Sequence, residues 1–141
     1  MTHSPSYRRI LHRMGYYDYQ QGLIVNYMNQ GEGWLNHQKK CRDFILNAIS
    51  FFLPEKITVL GSGWLLELPL IEMSEKTDEI ILVDIIHPPE VIEQTAGIKN
   101  LKLLEDDITG GLVEEVWKWA GKGIFLNRKS FPEMINIPNY N

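Results

Sequence analysis

ITVLGSGWLLELPLIEMSEKTDEIILVDI, residues 57–85, holds two apolar runs separated by a segment of helix length. The first run is β-branched and stops on Gly61-Ser62-Gly63; the second carries no charge from Ile80 to Val83 and stops on Asp84. Short apolar runs bounded by Gly and Pro mark strands, and an uncharged run implies cover on both faces, as in a parallel sheet flanked by helices. Between the runs, Pro69 fits only the first turn of a helix, because proline has no N–H to donate and its ring crowds the preceding turn. This predicts a helix that starts near Leu66 or Glu67.

The pattern extends in both directions. Downstream, PPEVIEQTAG (88–97) reads as a short helix opened by prolines and closed by Gly97, LKLLEDDI (101–108) as a third strand, and GGLVEEVWKWAG (110–121) as a third crossover helix. Upstream, residues 6–52 read as three helical segments broken at Gly15 and at GEGW, before Pro54 stops the last one. In that last segment Leu35, Phe44, Ile45, Ala48, Ile49 and Phe52 include apolar steps of three and four, which predicts a buried stripe. The order β-α-β-α-β-α predicts an α/β protein: a Rossmann-like parallel half-sheet of three or four strands with crossover helices. A length of 141 residues suits one domain. Its expected parts are a helical N-terminal segment (1–53), the sheet core (54–123) and an irregular tail (124–141), with GIFLN at 123–127 as the candidate fourth strand.

Charge is uneven along the chain. Residues 1–56 carry seven Lys/Arg against four Asp/Glu, a net +3; residues 57–141 carry seven against fourteen, a net −7. The overall −4 argues against a protein built for nucleic-acid phosphates, and YRRILHR (7–13) reads as a solvated helix face. No stretch approaches the ~20 apolar residues of a membrane-spanning helix. MTHSPSYRR lacks the apolar core of a secretory signal, so no membrane partner and a cytoplasmic location are expected. The lone Cys41 is expected to be a buried small hydrophobe, and no Cys/His spacing suggests a metal.

In an open parallel sheet, ligands bind beyond the carboxyl ends of the strands. Gly61 and Gly63 follow the first strand, where glycine permits a tight turn and a close approach to the backbone. Asp84 ends the second strand, placed to accept the hydroxyls of a ribose, and Asp106 and Asp107 end the third, within reach of an adenine amine. Each feature has a bland alternative as well: a structural turn, a helix cap, a solvated acid. His87 is readable as a base or as a loop residue, and Tyr16, Tyr17, Tyr19 and Tyr27 as a lid or as packing against the sheet.

Taken together, VLGSGW, ILVDI and LLEDDIT resemble the first three motifs of class I S-adenosylmethionine-dependent methyltransferases, over about residues 35–120. The resemblance implies that Gly61, Ser62, Gly63 and Trp64 form the loop along the methionine and ribose. It implies that Asp84, with Ile85 beside it, holds the ribose hydroxyls. Asp107, next to Asp106, would meet the adenine amine, and Ile108 the ring. S-adenosylmethionine or S-adenosylhomocysteine is the implied small-molecule ligand, and catalytic residues are left unassigned. Three positions depart from the family pattern: Val59 replaces an acid, Leu65 the third glycine, and Trp64 is larger than usual. A noncatalytic ligand-binding or assembly module is the alternative, and a nicotinamide dinucleotide site is disfavoured because Leu66 occupies its third glycine position. Family domains carry further strands, so the reading expects the cofactor-binding half of such a domain. The first strand's free edge is then expected to be covered by the N-terminal helices or the tail, or to pair with a second copy.

Overall fold

A computed structural model describes residues 4–30 and 32–120. Three helices come first: α1 (Pro5–Arg13), α2 (Tyr16–Gln30) and α3 (Gly33–Phe52). They lead into β1 (Lys56–Leu60), α4 (Leu70–Lys76), β2 (Glu79–Asp84), α5 (Pro89–Thr95), β3 (Leu101–Glu105) and α6 (Leu112–Ala120). The strands form one parallel sheet in the order β1-β2-β3. The α/β class and the alternation of strand and helix are as the sequence predicts. The candidate fourth strand at 123–127 and the tail lie outside the described residues.

Helix boundaries follow local chemistry. Ser4 caps α1 by accepting the Tyr7 amide at 3.2 Å, with Pro5 in the first turn. Gly15, at φ 71°, turns the chain into α2. Leu53, left-handed at φ 48°, closes α3 on the Ile49 carbonyl just before Pro54. The helix expected from Leu66 or Glu67 begins only at Leu70. Leu65 takes a left-handed φ of 63°, its amide bonds back to Ser62 and Leu68 bonds back to Leu65, so 61–69 is a loop of consecutive turns that Pro69 ends as the cap of α4.

Register puts Ile57, Ile80 and Leu101 in one row and Val59, Leu82 and Leu103 in the next, all on one sheet face. That face packs on Ile49 of α3, Leu65, Leu70 and Met73 around α4, and Val91 of α5. Ile80 and Leu82 are fully buried there. The opposite face is less covered: Val83 is buried, but Thr58, Leu60 and Lys102 are exposed. Cover on both faces is thus only partly realised. The α3 stripe is also narrower than predicted, because Ile45, Ala48 and Ile49 turn inward while Leu35, Phe44 and Phe52 are exposed. Cys41 is half-buried rather than buried, with Sγ 3.5 Å from His37 Nε2.

Among the described residues, β1 pairs on one side only. At the amino-terminal rim, Glu79 bridges Lys102 of β3 and Lys56 of β1, and these two ammonium partners bring its carboxyl down to about 2. Asn100 ties the same rim to α4, donating to the Ser74 and Thr77 carbonyls at 2.9 and 2.8 Å. No described helix is long and apolar enough to cross a membrane.

These packing differences predict contrasting substitutions. Leu82→Ala, at a fully buried position, is expected to destabilise the fold by about 2–5 kcal/mol. Ile71→Ala, on the exposed side of α4, is expected to change stability by no more than about 0.5 kcal/mol. Urea unfolding followed by circular dichroism measures both, and equal losses would contradict the assigned core.

Candidate functional site

The carboxyl ends of the three strands are tied together by backbone. The amides of Gly61 and Ser62 donate to the Val83 carbonyl at 2.8 and 3.2 Å, and the Asp106 amide donates to the Asp84 carbonyl at 2.9 Å. Side chains add to this rim. Asp84 Oδ2 accepts the Gly63 amide at 2.7 Å and its Oδ1 accepts its neighbour Ile85's amide at 2.7 Å, with the residue only 6% exposed. Gly61 and Gly63 sit at φ 71° and 53°, and an added Cβ at either would meet nothing within 4 Å. Glycine is demanded there by the left-handed backbone, and the space above the turn is open.

That space is a trough of about 720 Å³. Its floor is Gly61, Ser62, Gly63, Asp84, Ile85, Asp107 and Ile108, and its opposite wall is α2. Seven of the nine predicted site residues therefore converge on one hollow, and Trp64 is an eighth. Asp106 does not: it is exposed, and its Oδ1 accepts the Asp107 amide at 2.9 Å. The Trp64 indole is half-buried against the core and donates to the Gln20 carbonyl at 2.9 Å, which makes it part of the wall. His87 lies apart, buried with Nε2 3.2 Å from the Leu104 carbonyl, beside a second cleft beyond Trp64.

Asp107 is held by an Asx-type turn, its Oδ1 accepting the Thr109 amide at 2.9 Å and the Thr109 hydroxyl at 2.5 Å. Its Oδ2 accepts the Tyr7 hydroxyl at 3.0 Å, so α1 is latched across the rim. Arg8 adds an ion pair with Glu105 at 2.8 Å. Burial pulls the Asp107 carboxyl upward, but the donors from Thr109, Tyr7 and the Val113 amide outweigh it and hold the group below the usual carboxylate range. Tyr16 faces the same pole. Burial, then the charges of Asp84 and Asp107, raise its hydroxyl above the ordinary phenol value against an opposing hydrogen bond from Gln20. It is a protonated donor at neutral pH.

Charge gives the trough its character. Asp84, Asp107 and Glu67 line it, and among the described residues no Lys, Arg or His does. Two polar atoms in its walls, Gln20 Oε1 and Ser62 Oγ, are buried without a hydrogen-bond partner among the described residues, which is uncommon for buried polar groups. Among the described residues, no three His, Cys, Asp or Glu side chains gather as a metal site would require.

The α2 wall was only half legible. The lid alternative named Tyr16 and Tyr27, which do line the trough, but Tyr17 lines the second cleft and Tyr19 is 67% exposed. Gln20, Leu23, Asn26 and Gln30 of α2, Trp34 of α3, and Leu66, Glu67, Thr109 and Val113 were not foreseen. Thr109, two residues beyond Asp107, was readable as an Asx-turn partner; the α2 residues had no comparable signal. The chain matches no protein-family model, no curated protein and no solved structure.

Two outcomes follow from the rim. Asp84→Ala leaves the part-buried Gly63 and Ile85 amides without their acceptor, so a loss of about 1–3 kcal/mol in urea unfolding is expected with no ligand present. Asp107, depressed in the folded state, stabilises fully above the ordinary carboxyl range, and that contribution disappears as pH falls through its lower folded value. Melting temperatures followed from about pH 6 down to about pH 2 should therefore decline on acidification, and Thr109→Val should flatten the decline.

Proposed function

We propose that the trough binds S-adenosylmethionine or S-adenosylhomocysteine, and that the chain is a methyltransferase-like, Rossmann-like ligand-binding unit. The observation that carries this reading is the anionic rim: a glycine turn at β1, a carboxylate at the end of β2 and a second one after β3 converge on a hollow that has no cationic side chain among the described residues. S-adenosylmethionine, whose sulfonium and ammonium outweigh its carboxylate, offers net positive charge together with ribose hydroxyl and exocyclic amine donors, and S-adenosylhomocysteine offers the same donors without the net charge. The residues present fit such a group. Gly61 and Gly63 leave the floor open, Asp84 retains acceptor capacity for ribose hydroxyls, and Asp107 and Ile108 lie together for an adenine edge and face. Ser62 Oγ and Gln20 Oε1 supply further polar partners.

The same charge argues against a nicotinamide dinucleotide. Its pyrophosphate is normally met by the amide end of a helix that follows the glycine turn directly. In this chain that helix begins only at Leu70, beyond the loop at 61–69, and the phosphates would face three acids. The noncatalytic alternative has one supporting observation: both Asp84 oxygens already accept backbone amides, which suits a structural carboxylate.

Isothermal titration calorimetry is the test. S-adenosylmethionine and S-adenosylhomocysteine are expected to release or absorb heat on binding, while NAD is expected to give none. Asp107→Asn, which keeps the shape but swaps an acceptor for a donor, should weaken binding by about tenfold, a value typical of one hydrogen bond to a charged group. Absence of heat with both adenosine ligands would sink the reading.

A further inference from the structure

We propose that the corner where α2 meets α3 is a second subsite of the same trough, built to hold an aromatic or alkyl amine as its ammonium ion. The inference rests on the adenosine reading for the occupant of the first pole, and on the lining of the trough for the second.

The trough is long enough for two occupants. Tyr16 stands beside Asp84 and Asp107, while Tyr27 lies eleven residues on along α2, a rise of about 16 Å. The Tyr27 hydroxyl accepts Gln38 Nε2 at 2.9 Å, and the same amide group donates to the Leu66 carbonyl at 3.1 Å. This junction draws the 61–69 loop against α3, so Glu67 enters the lining at the far pole. Trp34, one helical turn before Gln38, is in the lining too. Its indole N–H donates to Gln30 Oε1, and its ring meets that of His37 edge-on at 5.0 Å.

Two aromatic rings and a carboxylate, with no Lys or Arg among the described lining residues, make a surface that attracts a cation through ring quadrupole and charge together. The helix dipoles at this corner largely offset one another, since the carbonyl end of α2 meets the amide end of α3. Glu67 therefore sets the sign. An anion of the same shape would face Glu67 with no counter-charge among the described lining residues, so the subsite discriminates by charge as well as by ring.

Calorimetry on the full chain with tryptamine and indole-3-acetate, which share a ring and differ in charge, tests this. Tryptamine should bind at least about tenfold more tightly than indole-3-acetate, and its affinity should be unchanged when S-adenosylhomocysteine is saturating. Glu67→Gln should weaken tryptamine by about tenfold and Trp34→Leu by about as much. Trp34→Phe retains an aromatic face and should lose less, with circular dichroism confirming that each variant is folded. Equal binding of the two indoles, indifference to Glu67→Gln, or competition between tryptamine and S-adenosylhomocysteine overturns the second subsite. Heat from tryptamine with none from S-adenosylhomocysteine titrated alone upholds the amine corner and removes the adenosine reading. The reverse result removes the corner alone.

Discussion

The Asp84 carboxylate fixes the geometry on which the site depends. It belongs to β2, yet one of its oxygens holds the first amide beyond Ser62 in the loop that leaves β1, while the other holds the start of the loop that leaves β2. A buried carboxylate is costly unless donors replace its water, and two short charge-assisted bonds from the backbone do so. The consequence reaches beyond stability. The glycine turn lies over the end of β2, and the Asp106 amide bonded to the Asp84 carbonyl brings the Asp107 turn to the same rim. A single acid at a strand end thereby draws three loops around one hollow.

The N-terminal helices complete that hollow. None of the α2 residues is buried, so α2 is held by its partners at either end more than by a core of its own. At one end α1 is latched through Tyr7 to Asp107 and anchored by the fully buried Leu11; at the other, Gln38 joins Tyr27 to the loop after β1. Trp64 crosses the middle with its bond to the Gln20 carbonyl. A wall fastened at points to the loops it covers is the part of a fold most readily displaced when a ligand enters, because few apolar contacts must be broken to move it.

The sheet and its acidic rim were legible because they rest on short-range signals: β-branched runs, glycine pairs and acids at strand ends. Asp84 and Asp107 could be placed from strand length alone. What failed were features set by distant contacts. The start of α4 was misplaced because nothing local announces that Leu65 will turn left-handed, and Phe44 and Phe52 of α3 face outward because the sheet covers only part of the helix circumference. The roles of Gln20, Asn26 and Gln30 depend on which side of α2 faces the sheet, and a helix without a dominant apolar face does not announce that.

Leu65 shows how a left-handed turn can be held by a residue other than glycine. At φ 63° it holds a conformation that disfavours a side chain by roughly 1–2 kcal/mol. The same leucine is 3% exposed and packs in the main core, a burial that contributes roughly 1.5–3 kcal/mol. The two effects are of similar size and opposite sign, so the backbone keeps a turn that glycine would adopt freely while the side chain anchors the loop to the sheet. That anchoring also explains why the helix starts late: the loop descends to bury Leu65 before Pro69 and Leu70 begin α4. The helix start is thereby drawn to Leu70, away from Gly63, and among the described residues the charged groups that line the trough are its three acids.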